Sequence, residues 1–227
     1  MGDSDMPIVV LISGEGSNLQ VLIDEAAAGK LPVCIRTVIS NRAGARGLER
    51  AARAGIPTHV VDHRRYRTSR DFCQALADCI DRYSPRLVVL AGFMRILDSA
   101  FVAHYAGRLI NLHPSLLPRY PGLDTHRRVL DNRDTVHGAS VHFVTDELDA
   151  GPVIAQGRVA VGPDDTPDTL QRKVREVEHR ILPTAVRWFA QDRLSLEDGR
   201  VLLDGETRPE QELGSAGRSP LAAATSS

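Results

Sequence analysis

Three things missing from this sequence narrow what it can be. Its 227 residues include only three cysteines, Cys34, Cys73 and Cys79, with no Cys-x-x-Cys pair among them. An odd, scattered set of this kind reads as reduced thiols in a cytoplasmic protein, not as a disulfide framework. No apolar run approaches the roughly 18 residues that a membrane-spanning helix needs. No charged segment followed by an apolar core opens the chain, so neither a membrane anchor nor a secretory signal is expected. Charge of one sign is also lacking. The 28 basic and 29 acidic residues leave a formal net charge of −1, which favours neither nucleic acid nor a membrane surface as partner.

What remains is ordinary for a globular protein, with 42% hydrophobic and 25% charged residues. The length suits one domain with a sizeable core. PIVVLISG (7–14) has the look of a buried parallel strand ending in glycine. A helix is expected over 18–28, with Leu19, Leu22, Ile23 and Ala26 on one face and Gly29 as its stop. Strands at 33–40, 58–62, 86–92 and 108–113 alternate with helices at 43–55, 69–82 and a short one capped by Asp98. This alternation implies βαβ units: an α/β, Rossmann-like fold with a mostly parallel central sheet flanked by helices. Two further strands (139–146 and 152–161) precede a long helix capped by Thr166, with Pro167 at its first position and a kink expected at Pro183. A hairpin with an Asp-Gly turn follows at 194–203. The domain is read as 1–205 and residues 206–227, polar and rich in Gly, Pro and Ser, as a disordered tail.

In open parallel sheets ligands bind at the carboxyl ends of the strands. The segments SGEGSN, GFMRIL, NLHPS and TDELDAG all follow strand ends. Asn111 and His113 are two apart on one strand and so share a face. Pro114 stops that strand. On its strand alone His113 reads as a core histidine. With Asn111 beside it and Asp149 before a Gly-Pro turn, the set offers an amide donor, an imidazole and a carboxylate. That suits attack on a carbonyl, with a donor for the oxyanion, an acid/base, and a carboxylate that favours the charged imidazole. The loop at residues 13–18 presents amides at a helix N-terminus, a seat for a phosphate. A dinucleotide site is disfavoured because Leu19 replaces the third glycine and the second strand ends in Asn41 with no acid for a ribose. No Gly-Lys-Ser/Thr is present, so a Walker-type loop is excluded, and a plain tight turn stays the alternative to a monophosphate site. GFMRIL offers Phe93 and Met94 as a ligand wall. His59 with His63, and His137 with His142, lack a further ligand at sound spacing and read as structural, so no metal is expected. Ser17 lacks the Gly-x-Ser-x-Gly context of a hydrolase nucleophile.

The ordered set SGEGSNLQ, VISNRAGARGLERA, VVLAGFMRIL, INLHPSLLPRYPGLDTHRRVL, HGASVHFVTDELDAGPVIAQ and Glu-His-x-Ile-Leu-Pro resembles the phosphoribosylglycinamide formyltransferase family, over about residues 7–205. The resemblance implies transfer of a formyl group from 10-formyltetrahydrofolate, as co-substrate, to the amine of glycinamide ribonucleotide in purine synthesis. It implies that Gly16, Ser17 and Asn18 hold the phosphate, that Glu178 binds the ribose hydroxyls and that Met94 lines the cleft. Arg95, Ile96 and Leu97 would take the pterin, and Arg70 lies near a position tied to folate. Asn111, His113 and Asp149 would be catalytic, with Asn111 also touching the folate. Small-molecule partners are expected for a monomer or homodimer. Glu15 departs from the family pattern, and its side chain is expected to face solvent. The rivals are formyltetrahydrofolate deformylase, usually built with an extra N-terminal domain, methionyl-tRNA formyltransferase, whose C-terminal RNA-binding domain finds no room after residue 205, and a non-catalytic nucleotide-binding module.

Overall fold

A computed structural model describes residues 5–206. The tail expected at 206–227 therefore lies, from residue 207 onward, outside the described residues. Five strands, β1 (Met6–Ile12), β2 (Val33–Ser40), β3 (Thr58–Val60), β4 (Leu87–Leu90) and β5 (Leu109–His113), alternate with helices α1 (Ser17–Ala27), α2 (Arg46–Arg53), α3 (Ser69–Asp81) and α4 (Ser99–His104). Then come α5 (Thr125–Asp131), β6 (Val136–Phe143), β7 (Val153–Ala160), α6 (Pro167–Ala190) and a hairpin of β8 (Leu194–Glu197) and β9 (Arg200–Leu203).

The main sheet runs β3-β2-β1-β4-β5-β6-β7. It is parallel from β3 to β5 and antiparallel across β5, β6 and β7. The chain leaves β1 outward through β2 and β3, then returns to β4 on the other side. The order thus reverses between β1 and β4, and a crevice opens there at the carboxyl edge. The all-apolar reading of β1 follows from burial on both faces. Ile8, Val10 and Ile12 pack with Leu19, Leu22, Val174 and Ile181, while Val9 and Leu11 pack with Phe72, Leu76 and Phe101. Each such side chain contributes about 1.5–3 kcal/mol when fully buried.

Capping agrees with the sequence. Asp98 accepts from the Phe101 amide at 2.9 Å, and Thr166 with Thr169 forms a capping box at α6. Asp198 and Gly199, both at positive φ, turn the β8–β9 hairpin. Some boundaries differ from expectation. α2 starts at Arg46, since Ala43 and Gly44 belong to the loop over the sheet. α6 ends at Ala190 and holds the buried Pro183 inside it. β6 starts at Val136, three residues before the expected 139. Gly138 does not end the strand but lets β7 approach, because a Cβ there would lie 1.9 Å from the Gly157 carbonyl oxygen. α5 was not anticipated. It has seven residues and buries only Thr125 and Val129, too few for a period to show.

Candidate active site

Residues 13–16 turn the chain from β1 into α1. Gly16 sits at φ 71 as the N-cap and offers no side-chain cap, so the first amides of α1 stay free for a ligand. A Cβ on Gly16 would lie 2.6 Å from the Cα of Gly47, so only glycine lets α2 press against this loop. Gly47 in turn donates its amide to the Gly14 carbonyl at 3.0 Å. Glu15 is half-exposed and points onto α2. Its carboxylate accepts from Arg50 at 2.9 Å and from Arg46 at 3.3 Å, and these bonds lower its pKa. The solvent-facing expectation holds, with two arginine partners that the sequence did not reveal. In the first turn of α1, Asn18 Nδ2 donates to Glu178 Oε2 at 2.9 Å, while Asn18 Oδ1 is buried without a partner among the described residues. Burial pushes the Glu178 carboxyl up, and the bond from Asn18 opposes it.

The buried Ser13 hydroxyl ties the loop after β1 to the loop after β4. It donates to Asn41 Oδ1 at 2.6 Å and accepts from the Met94 amide at 2.7 Å. Met94, Arg95 and Ile96 are thereby held exposed at the edge of the crevice, and Leu97 packs partly against the core. Phe93 does not join them. It is 8% exposed and belongs to the core, so the apolar wall is Met94 and Ile96.

Asn111 and His113 share one face of β5, while Ile110 and Leu112 pack on the other. Asp149 reaches them from the turn after β6. Its Oδ2 lies 3.3 Å from His113 Nδ1 and accepts the Gly122 amide at 2.8 Å, and its Oδ1 lies 3.4 Å from Asn111 Nδ2. The second ring nitrogen of His113 is already used: Nε2 donates to the Tyr120 carbonyl at 2.9 Å. A carbonyl oxygen only accepts, so Nε2 carries a proton, and Nδ1 is the nitrogen turned to the Asp149 carboxylate. One side of the cleft thus brings the Asn111 amide and the His113 imidazole together on a single carboxylate. Asp149 achieves this at φ 52, a left-handed conformation that costs a non-glycine residue about a kcal/mol or more.

A family profile described as Formyl transferase matches residues 6–186. The phosphoribosylglycinamide formyltransferase of Escherichia coli (strain K12) is 53% identical over 206 residues, covering 91% of this chain and 97% of that protein. The chain belongs to the phosphoribosylglycinamide formyltransferase family. It is a formyl transferase with the Rossmann-like, mostly parallel fold expected of one. The solved phosphoribosylglycinamide formyltransferase of Coxiella burnetii is 52% identical with a TM-score of 0.87, over 92% of this chain and 99% of that one. A solved formyltetrahydrofolate deformylase from Pseudomonas syringae pv. tomato stands further off, 28% identical with a TM-score of 0.82, and the chain spans 66% of it.

Within this family member, Asn111 and His113 are each joined to Asp149, and Asn18 is bonded to Glu178. Arg70 stands apart, exposed in the first turn of α3, and no bond among the described residues links it to the others. Three participants escaped the sequence. Tyr120 and Gly122 act through backbone groups, which carry no residue signature. His142 was read as structural, yet it lies directly across from Asn111 in the β5–β6 register. The only available signal was its place in the strand leading to Asp149.

Proposed function

We propose that this enzyme transfers the formyl group of 10-formyltetrahydrofolate to the amine of glycinamide ribonucleotide. The single observation supporting it is the convergence of the Asn111 amide and the His113 imidazole on Asp149, at the same carboxyl sheet edge as the uncapped N-terminus of α1. The amides of Gly16, Ser17 and Asn18 take the phosphate, helped by the partial positive charge of the α1 terminus. Glu178, held by Asn18, accepts from the ribose hydroxyls. Met94 walls the cleft, and the backbone of Arg95, Ile96 and Leu97 takes the pterin. Arg70 is assigned to the folate by resemblance alone.

The substrate amine attacks the formyl carbon. A C–N bond forms and the carbonyl π pair moves onto oxygen. Asn111 Nδ2–H and His113 Nδ1–H donate to that oxygen. Both are held by Asp149 at distances longer than a good charge-assisted bond, so an entering oxygen competes for them successfully. Asp149 takes the proton of the attacking amine through a water. Collapse breaks the bond from carbon to the folate nitrogen, which keeps the electron pair and receives the proton. The scheme calls for no metal, and among the described residues no group of three His, Cys, Asp or Glu side chains is arranged to hold one.

The test is a spectroscopic assay of 10-formyltetrahydrofolate with and without glycinamide ribonucleotide. Consumption should require the ribonucleotide and yield its formylated form. Rapid loss of formyl groups to water, with no formylated ribonucleotide, would replace this proposal with the deformylase.

A further inference from the structure

The mechanism leaves one buried polar side chain beside Asn111 unused. His142 is 2% exposed, on β6. Its Nδ1 lies 2.8 Å from the carbonyl oxygen of Phe143, which can only accept, so Nδ1 carries a proton. Burial pushes the ring pKa down, with the Phe143 bond and the Asp149 charge opposing. A neutral ring protonated at Nδ1 has a lone pair at Nε2. That lone pair faces Asn111 Nδ2 at 3.2 Å. The same Nδ2 faces Asp149 Oδ1 at 3.4 Å.

Asn111 therefore sits between two groups that only accept. Its amide has one acceptable orientation, with the NH2 end toward both. A flipped amide would set its oxygen against the His142 lone pair and the Asp149 carboxylate, losing two bonds and adding repulsion. It would also present lone pairs to the developing oxyanion.

We propose that His142 is a positioning residue: its Nδ1-protonated ring fixes the amide of Asn111 so that an N–H, not the carbonyl, is aimed at the formyl oxygen. This rests on the proposed role of Asn111 as an oxyanion donor. His142 touches no reacting atom and acts through that amide; its Nε2 also lies 3.7 Å from Asp149 Oδ1, beyond hydrogen-bond reach. The proposal also explains why a histidine occupies a nearly closed position that an apolar residue would fill at no desolvation cost. The Phe143 carbonyl fixes the tautomer, and the tautomer fixes the amide.

The test is a double-mutant cycle of His142→Phe and Asn111→Ala, read as kcat and as KM for each substrate. Asn111→Ala should lower kcat by about a hundredfold, the scale of one lost oxyanion donor. His142→Phe should lower kcat by about tenfold or more, with both KM values within about threefold of wild type, and His142→Gln, whose amide oxygen can accept from Asn111, should recover part of the loss. In the Asn111→Ala background, His142→Phe should cost little more. Near wild-type turnover for Asn111→Ala would instead remove the donor role itself. A slow Asn111→Ala with a harmless or fully additive His142→Phe would overturn the positioning role alone. Nitrogen-15 NMR of the unmodified enzyme gives a reading that survives misfolding of the variants. His142 should show a protonated Nδ1 and a bare Nε2 at neutral pH, and the opposite tautomer would overturn the proposal.

Discussion

Replacing Gly16 by alanine should strike the phosphate loop twice, while the same change at Gly14 should strike it hardly at all. Gly16 lies at φ +71, where an L side chain costs roughly 1–2 kcal/mol. Its new Cβ would lie 2.6 Å from the Gly47 Cα, a backbone atom that cannot rotate away. Overpacking of this kind costs about 1–3 kcal/mol. The sum, about 2–5 kcal/mol, corresponds to a fall in Tm of about 5–15 °C for a domain of this size. Relieving the contact must push the loop and α2 apart, which tilts the first amides of α1. The KM for glycinamide ribonucleotide should then rise at least about tenfold, equivalent to about 1.4 kcal/mol of binding, while the KM for the folate stays within about twofold. At Gly14 an added Cβ meets nothing within 4 Å and φ is not positive, so Gly14→Ala should remain within about 1 kcal/mol of wild type. Thermal unfolding and two-substrate kinetics on both variants decide the matter. A Gly16→Ala enzyme with unchanged Tm and unchanged ribonucleotide KM would refute both the close packing and the phosphate seat.

Further expectations can be checked in the same way. His113→Ala and Asp149→Asn should each lower kcat by at least about a hundredfold in folded protein, and near-normal turnover at saturating substrates would remove that residue from the scheme. Asn18→Ala should raise the KM for the ribonucleotide alone, whereas Glu15→Gln should change it by well under tenfold, because that exposed carboxylate is spent on Arg46 and Arg50. His137, buried against His126 at 3.1 Å, has its pKa pushed down to about 4, first by burial and then by His126. The unfolded chain binds this proton more readily, so stability should be full above about pH 6.5 and fall by up to about 3 kcal/mol toward pH 4. Denaturation midpoints across that range should show the slope, and His137→Gln should flatten it; an equal slope in both proteins would refute the assignment.

How much of this was legible depends on what a residue type can signal. The strand and helix order was readable because β1 and β4 are continuous apolar runs and α1 carries a clear apolar face. Asp98 and Thr166 announced their helices by side-chain chemistry that acts within three residues. Asn111 and His113 were readable as a pair because a strand has a period of two. What failed to show was long-range or backbone-borne. Phe93 followed a buried strand like Met94, but only packing decides which of two neighbours turns inward. Glu15 looked misplaced beside an anion site until α2 supplied Arg46 and Arg50 from more than thirty residues away. Register between β5 and β6, which sets His142 against Asn111, is written nowhere in either strand.

The same limit explains the form of the proposed catalytic centre. Tyr120, Asp124 and Asp149 all occupy positive φ, with Gly122 among them, and these loop residues close over the end of β5. Such conformations persist only where surrounding bonds over-determine them. Here the bonds run to the residues proposed to be catalytic, from His113 to the Tyr120 carbonyl and from the Gly122 amide to Asp149. Strained backbone thus fixes Nε2 of His113 and Oδ2 of Asp149, so that Nδ1 of His113 meets that oxygen and Oδ1 of Asp149 meets Asn111. In the proposed mechanism that geometry leaves His113 only Nδ1 to donate with, so the second donor to the oxyanion is assigned to Asn111, and the orientation of one amide becomes a condition for catalysis.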